Sequence, residues 1–213
     1  MRTTVVYLLA VILTAPSGTV ISQHLRLGAE AGLSFIDKPD YYTQDLSAGG
    51  LGFNAEMHVG ALGKLEMADF PLTLTGRIQY TWMNGSGTVS NSQIYGATGN
   101  YSTFADILVV AAGTEWVVGP RALLPHISTE ILITEVGQVS FSNAIHEPSS
   151  PFLKNASTRL GFALGAGLEH SFTPLVNADL HVRYNWNNLI AQSETESNLN
   201  TLDVSLALYF VLY

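Results

Sequence analysis

His126, Ser128 and Glu130 share one parity along a single extended segment, and their types could supply a nucleophile, a base and an acid. Side chains two residues apart on one strand stand about 7 Å from each other, too far for a direct Ser–His hydrogen bond. Pro125 and the short turn before it also place His126 at a rim. The triplet is therefore expected to form a polar face, and the chain is not expected to be an enzyme. Four of the six histidines, His24, His58, His126 and His170, fall near the same ends of predicted strands and could converge on a transition metal. His170 has the opposite parity and the other three come from segments that are not all neighbours, so neither a metal nor a cofactor is expected. No phosphate-binding loop or paired-carboxylate site stands out elsewhere.

A second set of residues carries charge into what must be a confined interior. Glu30, Glu56 and Arg77 come from consecutive segments at similar predicted depth, and Arg183 and Asp203 face each other across the last hairpin. A charge in a narrow interior has to be paired or hydrogen-bonded. These five are expected to form a structural network, with Arg77 lying between Glu30 and Glu56.

The elements that position these residues are read from alternation with period two, repeated eight times. Leu25, Leu27, Ala29, Ala31, Leu33 and Phe35 alternate with Arg26, Gly28, Glu30, Gly32 and Ser34. Further segments run over 51–60, 72–82, 126–134, 159–169, 176–186 and 202–212, each with an apolar and a polar face. The segment 104–118 is apolar on both sides and its phase stays open. Only 12% of residues are charged, against about 25% in a soluble domain. Even so, no run beyond the N-terminal segment reaches a dozen consecutive apolar residues. A transmembrane barrel reconciles these facts, because only every second strand residue meets lipid.

The N-terminal segment is separate from that pattern. Arg2 precedes the apolar run Val5–Leu13, followed by Pro16, Ser17, Gly18 and a small-residue site at Val20-Ile21-Ser22. This reads as a secretory signal peptide over 1–22, leaving 23–213 as one domain. The run is too short for a spanning helix. Losing Arg2 leaves eight cationic residues against 17 acidic ones, a balance that argues against nucleic acid as a partner. With no cysteine, the chain has neither a disulfide nor thiol chemistry.

A soluble sandwich also alternates, but here the polar faces are rich in glycine and isolated charges, which suits a side-chain-filled lumen. Long connections at about 37–48, 84–103, 137–156 and 187–200 alternate with short ones near 63–70, 119–124 and 171–174. Tyr80, Trp82, Trp116, Tyr184, Trp186 and Tyr213 fall at predicted strand ends, where an interfacial girdle belongs. The fold class is an all-β, antiparallel transmembrane barrel of about eight strands.

The run Arg159-Leu-Gly-Phe-Ala-Leu-Gly-Ala-Gly-Leu-Glu169, the Arg183-Tyr184-Asn185 strand end with Asn188-Leu189-Ile190, and the alternating C-terminus resemble the small OmpA- and OmpX-like outer-membrane barrels, in particular barrel domains of Bacteroidetes-like lineages. Tyr213 takes the place of the terminal aromatic in that superfamily, but on the opposite parity from Phe210 and Leu212. The resemblance implies a monomer in the Gram-negative outer membrane, surrounded by its lipid and inserted by the barrel-assembly machinery. Its termini would lie in the periplasm and its long loops outside, where their Ser-, Asn-, Gly- and Tyr-rich composition suits an extracellular ligand. The implied role is structural or surface-interacting. A narrow or lateral-exit channel for a small solute, a lipid-modifying enzyme and a periplasmic lipocalin-like binder are the alternatives.

Overall fold

A two-faced strand must commit one face to the interior, and here the polar face is the one that goes in. The computed structural model describes residues 23–37, 55–67, 72–89, 99–118, 123–136, 140–142, 157–190 and 198–212. They form β1 (Gln23–Asp37), β2 (Ala55–Met67), β3 (Leu72–Val89), β4 (Gly99–Val117), β5 (Leu124–Val136), a short β6 (Ser140–Ser142), β7 (Ser157–Thr173), β8 (Val176–Ile190) and β9 (Asn200–Leu212). All pairings are antiparallel, and β3 pairs with β4 while β1 pairs with β9. Eight strands therefore close into a ring, and β6 sits outside it, against Ser102–Phe104 of β4.

Closure carries a stagger. Leu65 of β2 opposes Leu74, which opposes Thr114, then Thr129, Leu164, Tyr184, Leu202 and Phe35. Phe35 opposes Ala55, so one circuit returns to β2 ten residues from its start. A stagger of this size over eight strands tilts them by about 40° to the axis and leaves a bore that side chains can fill.

Burial is inverted relative to a soluble protein. Ile131 is 66% exposed while its neighbour Glu130 is 5% exposed. Leu164, Leu180, Leu206 and Phe210 line the outer face, and Arg26, Glu30, Arg77, Asp179 and Arg183 the inner one. The phase of β4, open in the sequence, is resolved by pairing: Ile107, Val109, Ala111 and Glu115 point inward. Asp106 and Trp116 point outward, and Asp106 accepts a hydrogen bond from Tyr80. From that ionisable group to Trp116 is about 33 Å of strand, or about 25 Å of height at a 40° tilt, the thickness of an apolar band.

Three segments differ from the sequence reading. β2 begins at Ala55 and continues to Met67, because β1 supplies pairing partners as far as Gln23↔Met67; Leu51 and Phe53 lie outside the described residues. The first short connection is thus later than 63–70, and Lys64 is inside the barrel. β3 and β4 run on past Trp82 and Asp106, up to Val89↔Gly99, so Tyr80 and Trp82 mark a level on a longer hairpin. Long and short connections do alternate. The tightest, between β7 and β8, is closed by Thr173, whose Oγ1 accepts from the backbone N–H of Leu175 and Val176. The segment 1–22 and Tyr213 lie outside the described residues.

Candidate functional site

The inward side chains stack in layers between a near end, where β1 starts and β9 stops, and a far end with the long connections. Lys64 organises the near layer. Its Nζ lies 2.9 Å from Glu115 Oε2, 2.8 Å from Glu169 Oε2 and 3.2 Å from Asp179 Oδ2, and 4.6 Å from the centre of the Tyr209 ring. Arg26 pairs with Glu169 and with the half-buried Glu66, and Asn177 donates to Glu169 Oε1 at 2.7 Å. Four β-strand pairs are thereby tied across the bore. The sequence reading missed Lys64, because Leu62 breaks the alternation just before it and the neighbouring glycines look like a turn.

Arginines organise the middle layer. Arg77 donates to Glu130 through Nη2 at 2.6 Å and Nε at 3.2 Å, and also to Gln79. Arg183 Nη1 bonds Glu30 Oε2 at 2.9 Å, and its Nε lies 3.7 Å from Glu130 Oε1. Leu62, Ala207 and Tyr209 form an apolar cluster beside these pairs. In the far layer Asp203 Oδ2 accepts from Gln79 Nε2 at 3.0 Å and Asn185 Nδ2 at 2.8 Å. Ser34 Oγ and His58 Nδ1 are 2.9 Å apart, and Ile107, Val109 and Leu132 fill the remaining space with apolar atoms.

All five charges singled out in the sequence are buried on the inner face, but two of the partnerships read for them are different. Arg77 opposes Leu62 of β2, three inward positions from Glu56, or about 20 Å along the strand. Its partner is Glu130 on β5. Arg183 and Asp203 are register partners, yet the guanidinium reaches across to Glu30 while Asp203 takes amide donors. The histidines also redistribute. His24 and His170 are exposed, and His58 lies toward the far end because β2 starts later than read. Among the described residues, only His126 of those four joins a group of potential ligands, with Asp179 and His181.

Ser128 does meet a histidine, but one from another strand: its Oγ is 3.1 Å from His181 Nε2. The pair sits against Gly165, where a Cβ would strike both atoms, and the His126 ring sits against Gly167. The glycines of β7 are thus the floor on which the near-end imidazoles pack. Ser128 is 3% exposed and lies inside the bore between the ion pairs of both layers. The signal that could have found this pairing is Asp179-x-His181 on the inward parity of β8, two strands from Ser128.

No family model matches the chain, and no curated protein matches its sequence. Among solved structures, neisserial surface protein A matches 87% of this chain and 96% of its own, at 14% identity and a TM-score of 0.57. Ail, the attachment invasion locus protein of Yersinia pestis, covers 89% of this chain and 99% of its own, at 12% identity and 0.47. The N-terminal barrel domain of Pseudomonas aeruginosa OprF covers 88% and 97%, at 12% identity and 0.46. Ring closure, an inverted burial pattern and the likeness to neisserial surface protein A agree: this chain has the fold of the small eight-stranded outer-membrane β-barrels.

Proposed function

We propose that the protein is a monomeric structural barrel of the bacterial outer membrane that carries its long connections to the cell surface for interaction with an extracellular ligand. One observation supports this above the others: the lumen is filled by buried charges from all eight ring strands, interlocked by ion pairs and, at Asp203, by amide donors, with Ile107, Val109 and Leu132 packed among the polar groups of the far layer. Such a bore resists wall distortion and, filled with side chains, leaves a solute little open space. Lipid covers the outer face, the assembly machinery inserts the chain, and both barrel ends of the chain face the periplasm. Ser128 and His181 serve the packing of the lumen, and the protein releases no acyl group from lipid A.

Planar-bilayer recording tests the reading: the purified barrel should give no resolved conductance steps under conditions in which a porin control conducts. Reproducible unitary openings would replace it with the channel alternative. Orientation is tested by a short epitope inserted within 143–150, which antibody should reach on intact cells.

A further inference from the structure

We propose that His126, His181 and Asp179 bind a divalent transition-metal ion of the zinc class inside the near end of the barrel, with Glu115 as the fourth ligand. This is an additional site, and it does not depend on the surface role proposed above. Among the described residues these three offer ligand atoms within 4.8 Å of one another, and all are buried. His126 Nε2 lies 3.5 Å from Asp179 Oδ2 and 3.6 Å from Glu115 Oε2, and His181 Nδ1 lies 3.9 Å from Asp179 Oδ2. These separations are too long for good hydrogen bonds. The two His126 separations match the roughly 3.3–3.6 Å edges of a tetrahedron whose corners sit 2.0–2.2 Å from a zinc ion, and the His181 separation is a few tenths of an ångström longer.

Each imidazole has an oxygen partner at its other nitrogen, close for His181 and longer for His126. His126 Nδ1 is 3.4 Å from the carbonyl oxygen of Leu124, and His181 Nε2 is 3.1 Å from Ser128 Oγ. With those nitrogens donating, the lone pairs of His126 Nε2 and His181 Nδ1 both face the carboxylates, an arrangement that repels unless a cation lies between. Such outer partners commonly fix the tautomer of metal-binding histidines. His126 Nε2 and Asp179 Oδ1 are buried and have no hydrogen-bond partner. The near layer also carries Glu66, Glu115, Glu169 and Asp179 against Lys64 and Arg26, so a divalent ion would balance it. A cavity lined by Lys64, Glu115, Ser128 and His181 adjoins the group. Lys64 Nζ competes for Asp179 Oδ2 and Glu115 Oε2, and retains Glu169 when the ion binds.

The test is titration of chelator-stripped, tag-free barrel in detergent with Co²⁺ alone, read as visible d–d absorption, then displacement by Zn²⁺. One equivalent per chain should give intense tetrahedral bands that Zn²⁺ removes. His126→Gln and His181→Gln should each weaken binding at least tenfold, and Ser128→Ala by about 10–100-fold through loss of the outer partner. The exposed pair His24→Gln/His170→Gln should leave binding unchanged, and Lys64→Met should tighten it. Unheated gel mobility verifies that each variant is folded, and Ser128→Ala decides the matter if a histidine variant is not. Absence of a band in the native chain, or a Co²⁺ affinity unchanged in folded variants lacking His126, His181 or Ser128, overturns the site.

Discussion

Arg77 and Glu130 form a buried ion pair, so removing one member strands the other charge in the bore. Arg77→Met should therefore destabilise the barrel by about 3–5 kcal/mol. Adding Glu130→Gln should recover part of that loss, with a coupling of about 0.5–3 kcal/mol in urea unfolding from lipid vesicles. Combining Arg77→Met with Glu56→Gln should be additive within about 0.5 kcal/mol, since those groups sit at different depths. Additivity in the first cycle or coupling in the second would show that the charges meet differently. Gly165→Val belongs to the same scale. Its side chain enters the space of Ser128 and His181, at a cost of about 1–3 kcal/mol from overpacking.

Strand faces make the next set of expectations. Leu164 and Leu180 point outward at 46% and 52% exposure. Arginine at either should cost about 2–4 kcal/mol near the bilayer midplane. As a control, Ser171→Ala at an exposed position near the tight turn should stay within about 0.5 kcal/mol. The phase of β4 can be read directly, since the chain has no cysteine and single ones can be introduced. A fluorophore on cysteine replacing Val110 or Ala112 should be quenched by nitroxide-labelled lipid, and one replacing Val109 or Ala111 should not. Quenching at all four positions would mean that β4 is not committed to one face.

At the scale of the whole molecule, the closed hydrogen-bond ring leaves no sheet edge among the eight ring strands, and lumen charges such as Lys64 and Glu169 tie opposite walls together. Unfolding should therefore be all-or-none. On gels the unheated protein should migrate ahead of the heated one as a single sharp species, with no intermediate band on a temperature series. The protein should be recovered with outer-membrane fragments on cell fractionation. Recovery in the soluble periplasmic fraction would contradict an outer surface made of Leu27, Ile131, Leu206 and Phe210.

Alternation is a local property of the chain, and it sufficed for the fold class, for the inward or outward parity of most strands, and for the contrast between long and short connections. Parity alone put Glu30, Glu56, Arg77, Arg183 and Asp203 inside. Which of them meet is a different quantity, because relative depth on two strands depends on every register between them. That sum closes with a ten-residue stagger only once the ring is complete. A late start for β2 therefore moved His58 to the far end and Lys64 into the near layer, and brought Glu130 rather than Glu56 to Arg77. The β4 face was decided the same way, by its neighbours, since a segment apolar on both sides carries no local preference. The two registers through β7, His126↔Gly167 and Gly167↔His181, bring His126 of β5 beside Asp179 and His181 of β8, two strands away.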